Sequence, residues 1–172
     1  FDLKKNYPTA FIAYMQLLHL IQEAPLLYNP TEEGQFCIKC DGCNYGTGAV
    51  LYQWQKDPKT NKSRWVIIDM HNQIMPPDLR NSHSMVHEAK AITNACQHWR
   101  YHLIKRKFII ATDNKPIATL YTPEFRELNK LTQKQILRLR VAIRDFSYEM
   151  RHVKGLKNEM ADGLSRFTVA LY

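Results

Sequence analysis

The chain has 172 residues, 45% of them hydrophobic, which is enough for one well-packed domain with an appended element and too apolar for a disordered chain. A formal charge of +8 makes a polyanion the first partner to consider, although basic surfaces also serve membranes and solubility. The longest apolar stretch, FIAYMQLLHLIQEAPLL, is interrupted by Gln16, His19, Gln22 and Glu23, which argues against a bilayer span, so no membrane segment is expected.

The chain begins at Phe1 with neither a methionine nor a signal-peptide pattern, which points to a piece of a longer polypeptide. Residues 10–24 carry Phe11, Tyr14, Met15, Leu18 and Ile21 at helical spacing, and Pro25 ends that run. The following APLLYNPTEEG reads as a connection, placing a boundary near residue 34. Beyond it the period changes. Phe36 and Ile38, then Val50, Tyr52 and Trp54, alternate on either side of the turn GCNYGTG and predict a hairpin. RWVIIDMHN adds a third strand after the polar loop KDPKTNKS, completing an antiparallel meander.

From Ser84 to Ile104, Val86, Ala89, Ile92, Cys96, Trp99 and Leu103 predict one helix, capped by Ser82 or Ser84. KFIIAT reads as a buried strand, KPIATLY as a short helix and TPEFRELNK as a loop. Residues 131–145 form an amphipathic helix with Ile136, Leu139 and Ile143 on its apolar side. FSYEMRHV is a strand, and NEMADGLSRF closes the domain as a helix. This order predicts an α/β fold with a mixed sheet, not a doubly wound one.

The acidic residues are placed unusually. Asp41 ends the first strand, Asp113 ends the fourth, Glu88 lies in the first long helix of the domain and Asp162 in the last. Carboxylates at the carboxyl ends of neighbouring strands point into one crevice, to which packed helices add others. Four together repel unless hard cations are bound, and magnesium prefers such oxygen donors. Two ions roughly 4 Å apart activate a water and stabilise a leaving phosphodiester oxygen. Most of the 16 acidic residues are solvated surface charges, so spacing alone leaves each of the four open.

Three segments together resemble a known family: CDGCNYGTGAVLYQ, HSMVHEAKAITNACQHWRYHLIKRKFIIATDNKPI and LRLRVAIRDFSYEMRHVKGLKNEMADGLSR. They are similar, in order, to the ribonuclease H domain that follows reverse transcriptase in gypsy-class LTR retrotransposons and related pararetroviruses. The resemblance implies a ribonuclease H-like mixed five-stranded sheet, three antiparallel strands then parallel ones, flanked by helices. It makes Asp41, Glu88, Asp113 and Asp162 the metal-binding carboxylates for two magnesium ions, with manganese as a substitute. The implied substrate is the RNA strand of an RNA·DNA hybrid. The implied setting is a polyprotein with a polymerase module upstream in cis, in the cytoplasm within virus-like particles or virions. Residues 1–34 then correspond to the tail of that module and 35–172 to the ribonuclease H domain.

The match has departures. Many enzymes of this fold carry a histidine in the loop before the last helix, where this chain has Leu156 and Lys157; His152 lies upstream and is not assigned a role. The basic handle helix of some relatives has no room between Tyr121 and Leu131. Grip on the hybrid is therefore expected from Arg100, Lys105, Arg106 and Lys107, where cations meet phosphates or simply complement a helix end. Asn44 and Asn158 are placed to touch sugar or phosphate, and equally to serve as turn or capping residues.

Cys37, Cys40 and Cys43 have a C-x-x-C-x-x-C spacing, which elsewhere holds zinc or an iron–sulfur cluster. On a strand, positions three apart face opposite sides of a sheet, so the cysteines are read as small hydrophobes beside Asp41. Four cysteines in a chain of this size suggest a reducing compartment. His71, His83 and His87 lack the metalloprotease pattern and are read as part of a polar helix start. Two other readings compete with the nuclease: a non-catalytic connector of the same fold, and a DNA-cutting relative, against which the AD-x-LSR ending argues.

Overall fold

Alternating apolar residues give three strands first: β1 (Phe36–Gly42), β2 (Gly46–Lys56) and β3 (Ser63–Ile74), joined as an antiparallel meander. β4 (Lys107–Thr112) then pairs with β1 in parallel, and β5 (Ser147–His152) pairs with β4 in parallel. The sheet order is β3-β2-β1-β4-β5, the mixed five-stranded arrangement expected from the sequence. The structure, a computed structural model, describes residues 7–23, 27–56, 60–113, 117, 126–153 and 158–167. Most of the short helix expected at 115–121, the start of the loop at 122–130 and loop residues 154–157 lie outside them.

The helices are α1 (Pro8–Glu23), α2 (Ser84–His98), α3 (Arg100–Leu103), α4 (Lys130–Val141) and α5 (Glu159–Phe167), with a 3₁₀ turn at Pro77–Leu79. On one face of the sheet, Val86, Ala89, Ile92 and Cys96 of α2 form the core with Ile38, Cys40, Leu51 and Ile110. Each large side chain so buried contributes about 1.5–3 kcal/mol. α4 lies against α2 and adds Ile136, with Ile143 just beyond its end. The opposite face carries a smaller cluster of Cys37, Ile109 and Ala111, while α5 crosses β2. Among the described residues no helix is long and apolar enough to cross a membrane.

Two helix details differ from expectation. The run from Ser84 breaks at Trp99, whose φ of −97° and ψ of 23° leave the helical region. Its indole Nε1 donates to Asp69 on β3 at 2.9 Å, a tertiary bond that turns the chain. The cap is His83, whose Nδ1 accepts from the Met85 amide at 3.2 Å, in place of either serine.

The connection before β1 is bound to the sheet. Leu27 bridges Ile67 in parallel, and the Tyr28 amide donates to the Ile67 carbonyl at 2.8 Å. Gln53, fully buried, donates through Nε2 to the carbonyls of Thr31 at 2.9 Å and Glu33 at 3.0 Å. Its Oε1 accepts from the Thr31 amide and from Gln55 Nε2, each at 2.9 Å.

Candidate active site

Parallel pairing of β1 with β4 sets Cys37 opposite Ile109 and Lys39 opposite Ala111. Continuing that register brings Asp41, near the end of β1, beside Asp113, which follows β4. Glu88 arrives from the second turn of α2, and Gly42 explains how. A Cβ there would fall on the His87 carbonyl and 3.0 Å from the Glu88 amide nitrogen, so only glycine lets the helix sit on the strand end. One carboxylate oxygen each from Asp41, Glu88 and Asp113 lies within 4.8 Å of the others. Among the described residues this is the only group of three or more acidic, histidine or cysteine side chains so placed.

Gly48 does the same for α5. It lies opposite Asp41 on β2, and a Cβ there would strike the Ala161 carbonyl and the Ser165 amide. The close approach lets Ser165, with no exposed surface, donate its hydroxyl to Asp41 Oδ2 at 2.6 Å. Asn158, at the start of α5 and 2% exposed, donates from Nδ2 to the Cys40 carbonyl at 3.1 Å. Asp162 faces the rim and is half exposed; its Oδ1 accepts from Arg166 Nε at 2.8 Å. Such an exposed i, i+4 pair is worth only about 0.3–0.5 kcal/mol, so it yields readily to a stronger cation.

The electrostatics are unbalanced. Burial, then repulsion by Asp41, Asp113 and Asp162, pushes the Glu88 carboxyl up to about 9. Burial also raises Asp41, opposed by the Ser165 hydrogen bond and the Gly42 amide, while Asp162 and Asp113 add to the rise. Glu88 Oε2 is buried with no hydrogen-bond partner among the described residues. A buried oxygen acceptor without a donor, inside an all-carboxylate group, fits a hard divalent cation.

The other predicted residues are dispersed. Asn44 is exposed in the turn after Asp41. Lys105 and Arg106 precede β4 and Lys107 opens it, so all three lie at the opposite end of the sheet, about 20 Å from the carboxylates at the rise of a strand. Arg106 donates to the Glu32 carbonyl at 3.1 Å and lies over the Phe36 ring, while Arg100 faces Asp145 and the Phe146 ring. Lys105 and Lys107 are exposed. Asn158 anchors α5 through Nδ2 on Cys40, while its buried Oδ1 has no hydrogen-bond partner among the described residues. His152 reaches the margin, one ring nitrogen 3.1 Å from the Asp113 carbonyl oxygen.

Cys37 and Cys40 lie in clusters on opposite faces of the sheet, and burial raises both thiols, Cys37 to about 11. His87 bonds the Leu79 carbonyl at 2.8 Å and His71 stacks on His98, so the three histidines are scattered. Sequence reasoning missed Ser165. Its signal was its place three residues after Asp162, hence on the same helix face.

Comparison with known proteins agrees with this architecture. At 29% identity over 157 residues, the chain is similar to the retrovirus-related Pol polyprotein from transposon 297 of Drosophila melanogaster, covering 91% of this chain and 13% of that protein. It is 27% identical over 169 residues to the enzymatic polyprotein of Cauliflower mosaic virus (strain NY8153), covering 95% of this chain and 24% of the polyprotein. The chain thus spans a quarter or less of these relatives. Its fold is similar to that of RNase H1 from the halophilic archaeon Halobacterium salinarum, with a TM-score of 0.58 at 14% identity over 81% of this chain and all of that one. LC11-RNase H1, solved in complex with RNA/DNA hybrid, gives 0.57 at 16% identity over 80% and 100%. A family model for the RNase H-like domain found in reverse transcriptase matches residues 31–146, two thirds of the chain, and the chain belongs to that family.

Proposed function

We propose that this domain hydrolyses the RNA strand of RNA·DNA hybrids endonucleolytically during reverse transcription, using divalent cations held by Asp41, Glu88, Asp113 and Asp162. The observation that carries the reading is the convergence of Asp41, Glu88 and Asp113 around the partnerless Glu88 Oε2. Magnesium is the metal the donor set favours, with manganese the natural substitute. Two such ions supply an activated water and charge stabilisation at the leaving phosphodiester oxygen. The protein's own part is positional. β1 and β4 deliver two carboxylates, Gly42 admits the third, and Asp162 joins from the rim when Arg166 releases it.

The surrounding assembly follows from the same reading. Residues 35–172 form the nuclease domain, and residues 1–34 carry the chain from a polymerase module upstream in cis, with 27–34 docked on the sheet. Cytoplasmic virus-like particles or virions are its setting.

The deciding experiment is cleavage of an RNA·DNA hybrid labelled on the RNA strand, with magnesium and then with chelator, beside duplex DNA and duplex RNA. Magnesium-dependent cutting of the hybrid RNA alone is expected. A folded protein that binds hybrid and cuts nothing, even with the polymerase module restored, would make the domain a connector.

A further inference from the structure

We infer that Ser165 is a positioning residue for Asp41, holding that carboxylate in one orientation for the metal site; the inference rests on the metal-binding reading above. The two residues come from different elements, α5 and β1, and meet only because Gly48 admits the helix. Ser165 Oγ lies 2.6 Å from Asp41 Oδ2 and 2.8 Å from the Asp162 carbonyl. A hydroxyl has one proton, and an ionised carboxylate is the stronger acceptor. The hydroxyl proton is therefore directed at Oδ2, the nearer of the two acceptors.

Three consequences follow from geometry. Fixing Oδ2 fixes the carboxylate plane, so a cation meets Asp41 from one direction without an entropic cost on binding. Both Ser165 and Asp41 are buried, so losing the hydroxyl leaves Asp41 Oδ2 short of a donor. The same residue also links Asp162 to Asp41, since Asp162 shares its turn of α5 and Asp41 lies on β1 beneath it. The Ser165 carbonyl, in turn, accepts from Cys43 Sγ at 3.3 Å in the turn after β1, closing the connection.

The test compares Ser165→Ala with Ser165→Cys, which keeps the shape and weakens the donor. Magnesium binding is measured by calorimetry on the isolated protein without hybrid, alongside unfolding in chelator and cleavage across a magnesium series. The expected result for alanine is about tenfold weaker magnesium binding, the equivalent of one lost charge-assisted hydrogen bond. KM for hybrid stays unchanged and kcat recovers at high magnesium. Cysteine falls between alanine and wild type, and decides the matter if alanine does not fold. Wild-type magnesium affinity in a folded variant overturns the inference. Because binding is read without substrate, a wild-type protein that binds magnesium yet cuts no hybrid refutes the nuclease reading alone.

Discussion

Glu88 and Gln53 are both buried polar side chains, set near opposite ends of the same sheet, and they are treated in opposite ways. Gln53 spends its amide protons on two carbonyls and its oxygen on two donors, clamping the chain that leads into β1. Glu88 leaves one buried oxygen without a partner among the described residues, beside carboxylates that repel it. Under the proposed function, the deficit at that end is what a bound cation would fill. The basic residues follow the same division: Arg106 is bound to the satisfied end rather than aimed at the carboxylates.

The contrast is broken most severely by Asp113→Asn, which removes one charge from the unsatisfied end. Hybrid cleavage should fall more than about a hundredfold, with the unfolding temperature within about 3 °C, read by gel assay and calorimetry. An equally active variant would remove Asp113 from the site.

Glu88→Gln should sharpen the contrast in stability. In the fold the carboxyl titrates near 9, against 4.5 when free. Between these values the folded state holds a proton that the unfolded chain releases. Stability without metal is therefore full below about pH 4.5 and lost as pH rises towards 9. The amide has no proton to lose, so Glu88→Gln should be more stable than wild type in chelator at pH 8, on the order of 3 kcal/mol. Magnesium should stabilise wild type more than the variant. Denaturant unfolding across pH 5 to 9 checks both, and a parallel pH dependence in the two proteins would refute the assignment.

At the satisfied end, Gln53→Leu should cost about 2 kcal/mol by stranding the bonds to Thr31 and Glu33, while cleavage per folded molecule persists. The smallest effects belong to the cations. Removing Lys105 and Lys107 together should lower the salt slope of hybrid binding by about 1.5, whereas Arg106→Ala should leave that slope unchanged and cost about 1 kcal/mol of stability. A slope that falls with Arg106→Ala would return that residue to the nucleic-acid interface.

The sheet was legible because strand alternation and helical spacing are local signals, whereas spacing left the carboxylates open and the family resemblance singled them out, three of them now grouped by the fold. What escaped depends on partners remote in sequence. Trp99 continues an apolar helical stripe, and only Asp69, thirty residues away, shows why the helix stops there. Arg106 reads as a phosphate ligand until the Glu32 carbonyl is found beneath it. Ser165 looked like any helix residue because its acceptor, Asp41, is 124 positions earlier.

Gly42 and Gly48 set the spacing between the sheet and the helices on its two sides by direct backbone contact. Peptide geometry does not drift as side chains are exchanged over evolutionary time. Side chains of the hydrophobic interior can therefore be exchanged without altering the helix-to-sheet spacing that these two glycines set. Tolerance at the two glycines runs the other way, since every replacement adds volume where there is none. In a saturation-mutagenesis map, these two positions should be as intolerant as the carboxylates, although neither carries any reactive group.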